Sequence, residues 1–124
     1  RLMNRMKIVL AAFALVLSAL SARAVELVMV EQAGCIYCAR WDAEIAPAYP
    51  NTAEGRFAPL RRVDLRAIPP ELETARRVLF TPTFLLVEDD TELGRLEGYP
   101  GDQFFWPLLD ELLRSHSDYK GEGS

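Results

Sequence analysis

Apolar residues fall along this chain in runs whose spacing separates strands from helices. Leu27-Val28-Met29-Val30 is an unbroken apolar run and reads as a buried strand. Behind it, Ala39, Trp41, Ile45 and Ala46 make an apolar face in a stretch of good helix formers, so strand turns into helix at Gly34-Cys35-Ile36-Tyr37-Cys38. Pro47, Pro50 and the turn residues 51–55 end that helix between Ile45 and Tyr49. Residues 57–65, with Leu60, Val63 and Leu65 apolar, read as a second strand closed by Asp64, a polar group suited to capping a turn. After Pro69-Pro70, residues 71–78 read as a short helix, acidic at its start and basic at its end, with Leu72, Ala75, Val78 and Leu79 as its buried stripe.

Phe80-Thr81-Pro82-Thr83-Phe84-Leu85-Leu86-Val87 is then a core strand with a proline at its opening, where a missing ladder donor is tolerated. Residues 88–91 form a hairpin turn, and residues 92–97 return as a strand with Leu93 and Leu96 inward. Gly98-Tyr99-Pro100-Gly101 is a loop, and residues 103–114 carry the wide apolar stripe of a final helix. Residues 115–124 are polar and expected to be a frayed tail, with His116 a solvated residue of it. The order β-α-β-α-β-β-α predicts an α/β domain: a four-stranded mixed sheet with helices on both faces, a right-handed crossover joining the first two strands and a hairpin joining the last two.

The N-terminus reads differently. Arg5 and Lys7 precede an apolar run over residues 8–20, and Ala22-Arg23-Ala24 supplies the small residues that a signal peptidase reads. Residues 1–24 are therefore expected to be a secretory signal peptide with a few upstream residues, cleaved before Val25, and residues 25–124 the domain. A retained anchor is the competing reading, but the run is short for a membrane span. Removing the leader leaves ten basic residues against all 18 acidic ones, a net charge of −8. So anionic a domain, without a basic stripe, is a poor nucleic-acid binder. Its compartment is one where disulfides persist.

The chemistry rests on the two cysteines. The first N–H groups of a helix lack intrahelical partners and favour an anion, so Cys35 is expected to ionise readily and act as the attacking thiolate, with Cys38 as the more enclosed resolving thiol. Two intervening residues leave the sulfurs close enough to bridge. Zinc would need about four ligands, and beyond the cysteines the chain offers only His116 and carboxylates. A structural bridge also competes, although closing so small a loop constrains the unfolded chain little. Neither cofactor nor metal is called for.

Cys-x-x-Cys at a strand-to-helix junction, followed 44 residues later by Pro82 within Thr81-Pro82-Thr83 and then by Gly98 after a hairpin, resembles the thioredoxin superfamily. The resemblance implies a cis Pro82 facing the cysteines and a Thr81 backbone that pairs with substrate, so Thr81 and Pro82 join the candidate site. An apolar collar of Ile36, Tyr37, Phe80 and Tyr99 would dock a partner protein. Departures are visible: Met29 stands where the family keeps a buried acid, Glu31 is the nearest acid, and Ile36-Tyr37 replaces Gly-Pro.

Cys-Ile-Tyr-Cys, Ala-Pro-Ala-Tyr-Pro and Gly-Tyr-Pro-Gly before Phe-Phe-Trp further resemble the periplasmic thioredoxins of bacterial sulfur-oxidation (Sox) systems. That implies a monomeric periplasmic thiol–disulfide oxidoreductase that reduces a partner protein's disulfide or cysteine adduct, the sulfur-carrier protein being the partner expected. Its electrons would come from a membrane thiol transporter of the DsbD/CcdA type. A thiol oxidant or isomerase uses the same residues, and a non-catalytic binding or chaperone module with a structural bridge is the reading from another class.

Overall fold

The computed structural model describes residues 24–121, so the expected signal peptide lies, but for its last residue, outside the described residues. Strands β1 (Val25–Glu31), β2 (Leu60–Asp64), β3 (Thr83–Glu88) and β4 (Thr91–Glu97) form one sheet in the order β2-β1-β3-β4. β1 runs parallel to β2, and the other neighbours are antiparallel. Among the described residues three α-helices accompany them: α1 (Ile36–Glu44), α2 (Ala53–Phe57) and α3 (Asp102–His116). This is the four-stranded mixed α/β sheet expected, with a different distribution of helices.

β1 is central and apolar on both sides, which is why its sequence shows no alternation. Leu27 and Met29 point, with Phe84 and Leu86 of β3, into the face covered by all three helices. Val28 and Val30 point, with Leu85 and Val87, into the opposite face. On the helical side Trp41 is fully buried, with ring centroids 5.2 Å from Phe84, 5.9 Å from Phe105 and 6.1 Å from Tyr49. Such tilted and edge-on contacts fix α1 and α3 against the sheet in one orientation.

The second helix expected over residues 71–78 does not form. Glu73 bridges to β4 instead: its N–H donates to the Asp90 carbonyl (2.7 Å) and its carbonyl accepts from Glu92 N–H (2.9 Å). The Ala75 N–H donates to the Glu92 carboxylate (2.9 Å), and the Arg76 carbonyl accepts from Arg95 (2.8 Å). These contacts take the backbone groups that a helix would need. Leu72 and Val78 still bury themselves, now from an irregular segment that covers the face without α-helices. A short helix appears where only a turn was expected, because the Thr52 hydroxyl accepts from Gly55 N–H (3.0 Å) and caps α2. Gly55 packs so closely on the Tyr49 carbonyl that a side chain has no room. β2 accordingly starts at Leu60 rather than at residue 57.

The frayed tail expected from residue 115 is also corrected. α3 continues to His116, and beyond it Tyr119 is buried, its ring 5.0 Å from Phe57 and beneath the Arg114 guanidinium. One aromatic ring in a polar stretch is enough to anchor it to the core.

Tyr119→Ala should therefore lower stability by about 2 kcal/mol, the order expected for emptying a mostly buried site, measured by chemical denaturation; a free tail would give no change. Alkaline pH supplies a second test. The Tyr49 hydroxyl is buried, donates to the Ala58 carbonyl (2.7 Å), and is held well above the ordinary phenol range by burial first and by Glu54 and Tyr119 next. Its raised pKa means that the folded chain keeps a proton that the unfolded chain releases above about pH 10. Stability should fall as pH rises past that point, and Tyr49→Phe should flatten the fall.

Candidate active site

The site forms where the C-terminal end of β1 meets the start of β3, since Val30 pairs with Thr83 and Met29 with Phe84. Gly34, at φ 81°, turns the chain out of the strand in a conformation that favours glycine. Cys35 follows as the N-cap of α1, with extended backbone, and its sulfur accepts a hydrogen bond from the Cys38 N–H at 3.1 Å. The two cysteines are joined as a disulfide across a Cα separation of 5.2 Å. Their surroundings differ: Cys35 is partly exposed, whereas Cys38 is buried against the helical-side core. A partly exposed sulfur at a helix start backed by a buried one is an arrangement suited to thiol exchange.

The Thr81–Pro82 peptide is cis, and Pro82 is buried. Gln32 Nε2 donates to Thr81 Oγ1 (3.0 Å), while the Gln32 carbonyl accepts from Cys35 N–H (3.3 Å), so one residue ties the cysteine loop to the proline turn. Gln32 was not singled out in the sequence; a polar side chain three positions before a cysteine carries no distinguishing pattern. The turn is held further by Thr83 Oγ1 donating to the Phe80 carbonyl (2.7 Å) and by Gly98 N–H donating to the Pro82 carbonyl (2.8 Å).

Of the expected collar, Ile36, Tyr37 and Phe80 are exposed, at 74%, 55% and 58%. Leu79, read above as part of a buried stripe, is exposed beside Phe80 because the helix that would have buried it is absent. Tyr99 departs from the collar reading. It is buried, its hydroxyl donates to the Glu44 carboxylate, its ring lies edge-on to Phe105 and the Arg40 guanidinium stacks 5.7 Å above it. Burial, followed by the hydrogen bond and charge of Glu44, raises its phenol pKa. Tyr99 is thus a wall, not a rim. With Tyr37, Leu96, Pro100 and Leu108 it lines an open groove of about 480 Å³ next to the cysteine loop.

Met29 is fully buried at the position without an acid. Glu31 is engaged elsewhere: Arg62 donates to it (3.1 Å) and to Asp42 of α1 (2.8 Å), lies over Trp41 and touches the Met29 sulfur at 3.6 Å. Burial opposes the charge on Arg62, yet the bonds to Asp42 and Glu31 prevail and its pKa is raised. The trio laces α1 to β1 and β2. Asp64 accepts from Arg66 N–H (2.7 Å) and caps the turn after β2. Among the described residues no group of three His, Cys, Asp or Glu side chains is placed to hold a metal ion.

No protein-family model and no curated sequence matches the chain. Among solved structures it is similar to the periplasmic thioredoxin SoxS from Paracoccus pantotrophus, in its reduced form, with 63% sequence identity and a TM-score of 0.68. The match covers 71% of this chain and 94% of that one.

The Tyr99–Glu44 bond yields a test of the groove wall. Tyr99→Phe removes one hydrogen bond to a partly exposed carboxylate, so unfolding stability should drop by about 1 kcal/mol, read from denaturant midpoints; an unchanged midpoint would mean that the bond contributes nothing.

Proposed function

This chain belongs to the thioredoxin superfamily, as a periplasmic thioredoxin of the SoxS type and a thiol–disulfide oxidoreductase, and from that premise we propose that it works as a reductase of a partner protein's disulfide or cysteine adduct. The observation that carries the exchange chemistry of this reading is the pairing of an N-cap sulfur with a helix N–H at Cys35 and the burial of Cys38 one turn below.

In the reduced protein the Cys35 thiolate attacks one sulfur of the partner disulfide, a mixed disulfide forms and one partner thiolate leaves. The Cys38 thiolate then attacks Cys35 Sγ, which releases the second partner thiolate and leaves the Cys35–Cys38 bridge. Two electrons have passed to the partner, and an upstream dithiol returns them by the reverse exchange. Helix N–H groups stabilise Cys35 both as attacking thiolate and as the thiolate released in the last step of re-reduction, when the upstream mixed disulfide on Cys35 is resolved. Burial disfavours a Cys38 thiolate, which leaves the first attack to Cys35.

Partner contact falls to Ile36, Tyr37 and Phe80 as exposed apolar side chains and to the Thr81–Pro82 turn, whose backbone pairs with the partner strand; Tyr99 shapes the adjoining groove. The relationship to SoxS supports a sulfur-carrier protein as the partner and a membrane thiol transporter of the DsbD/CcdA type as the electron source. We also take the chain to act as a monomer and to be exported on a leader cleaved before Val25, which leaves β1 whole.

Cys38→Ser should hold the partner as a mixed disulfide on Cys35 that dithiothreitol releases, identified by mass spectrometry from a periplasmic extract; capture of a sulfur-carrier protein is the expected result. The reduction potential checks direction. A value near the ~−270 mV of thioredoxin supports the reductase, and one near the ~−120 mV of DsbA would make the protein an oxidant.

A further inference from the structure

One buried ion pair lies outside the cysteine site. Arg95 and Glu92 of β4 have side chains only 3% and 2% exposed. Arg95 Nε and Nη2 each donate to a Glu92 carboxylate oxygen at 2.7 Å, a bidentate fork. Arg95 pairs across the sheet with Leu85, on the face that no α-helix covers. From there its guanidinium also donates to the carbonyls of Arg76 (2.8 Å) and Arg77 (3.4 Å), and Glu92 accepts from the Ala75 N–H (2.9 Å). Glu97, further along β4, pairs with Arg76 at 3.1 Å.

Desolvating such a pair costs about as much as it returns, so it adds little stability over packed apolar residues. An apolar pair could not hold three backbone groups of a neighbouring segment, and that is the visible work of this one. Residues 75–77 are fastened to β4; Val78 is then buried; and the chain runs on through Leu79 and Phe80 into the cis Thr81–Pro82 turn. With no helix over residues 71–78, the clamp sets where that turn begins.

We infer that Arg95, with Glu92, is a positioning residue: it fixes the Phe80-Thr81-Pro82 turn for protein partners without touching the reacting sulfurs. The inference rests on the proposal that this turn meets the partner, and its test separates the two. Arg95→Lys keeps the charge and loses the planar fork. Steady-state reduction of insulin, a disulfide-bonded protein, is compared with reduction of glutathione disulfide, which is too small to need the whole turn. The expected result is a KM for insulin raised about tenfold, the scale of a lost charge-assisted contact. The insulin kcat and the glutathione disulfide rate should change less than about twofold, because the thiol chemistry is untouched.

Amide hydrogen exchange should quicken at residues 76–81 while β1 and α1 keep their protection. If Arg95→Lys does not fold, Glu92→Gln is read in its place, with the same pattern expected. Equal losses on both substrates, no change on either, or a general loss of protection would each overturn the inference. Pro82→Ala is the control for the underlying reading. Impaired insulin reduction there, with Arg95→Lys unaffected, rejects the clamp alone; normal insulin reduction by Pro82→Ala rejects the role of the turn and the clamp with it.

Discussion

The Cys38 N–H aimed at the Cys35 sulfur is the contact on which the rest of the molecule depends. It exists only while α1 begins at Ile36, and α1 begins there because Gly34 turns the chain out of β1 and leaves Cys35 as the N-cap. A start one residue later would point that N–H elsewhere and leave the cysteine as an ordinary thiol. The sheet and its packing can be understood as the means by which this start is held.

Two sets of contacts do the holding. Inside, Trp41 is wedged between Tyr49, Phe84 and Phe105, so α1 can neither rotate nor slide without opening the aromatic cluster. At the surface, Arg62 binds Glu31 at the end of β1 and Asp42 in the last turn of α1, bracketing the cysteine loop from both sides. Met29 fills with an apolar side chain the buried position where the family keeps an acid, and Glu31, the nearest acid, is committed to the Arg62 guanidinium. Proton transfer from Cys38 therefore has no carboxylate at Met29 to draw on.

Features encoded by near neighbours could be read from the sequence. The strand-to-helix junction at the cysteines, the proline opening β3, the hairpin and the amphipathic last helix each show a local period or breaker, and the structure has them within a few residues of the expected bounds. What stayed hidden depends on distant partners. Residues 71–78 have a sound helical pattern, yet Glu92 and Arg95 claim their backbone groups from β4. Tyr99 looks like an exposed loop aromatic until Glu44 and Arg40 of α1 are placed around it. Tyr119 sits in a polar tail whose anchor, Phe57, is sixty-two positions earlier. In each case a nonlocal contact outweighed a local preference worth a fraction of a kilocalorie per residue, about 0.5 kcal/mol.

The most direct test of the central contact is the ionisation of Cys35 in the reduced protein, read from the pH dependence of its alkylation by iodoacetamide with mass spectrometry to separate the two cysteines. A thiolate stabilised by the start of α1 should be half-formed well below the about 8.5 of a free cysteine, with Cys38 modified far more slowly across the same range. If Cys35 titrates like a free thiol, or if Cys38 reacts as fast, the helix start does not poise the sulfur and the account fails.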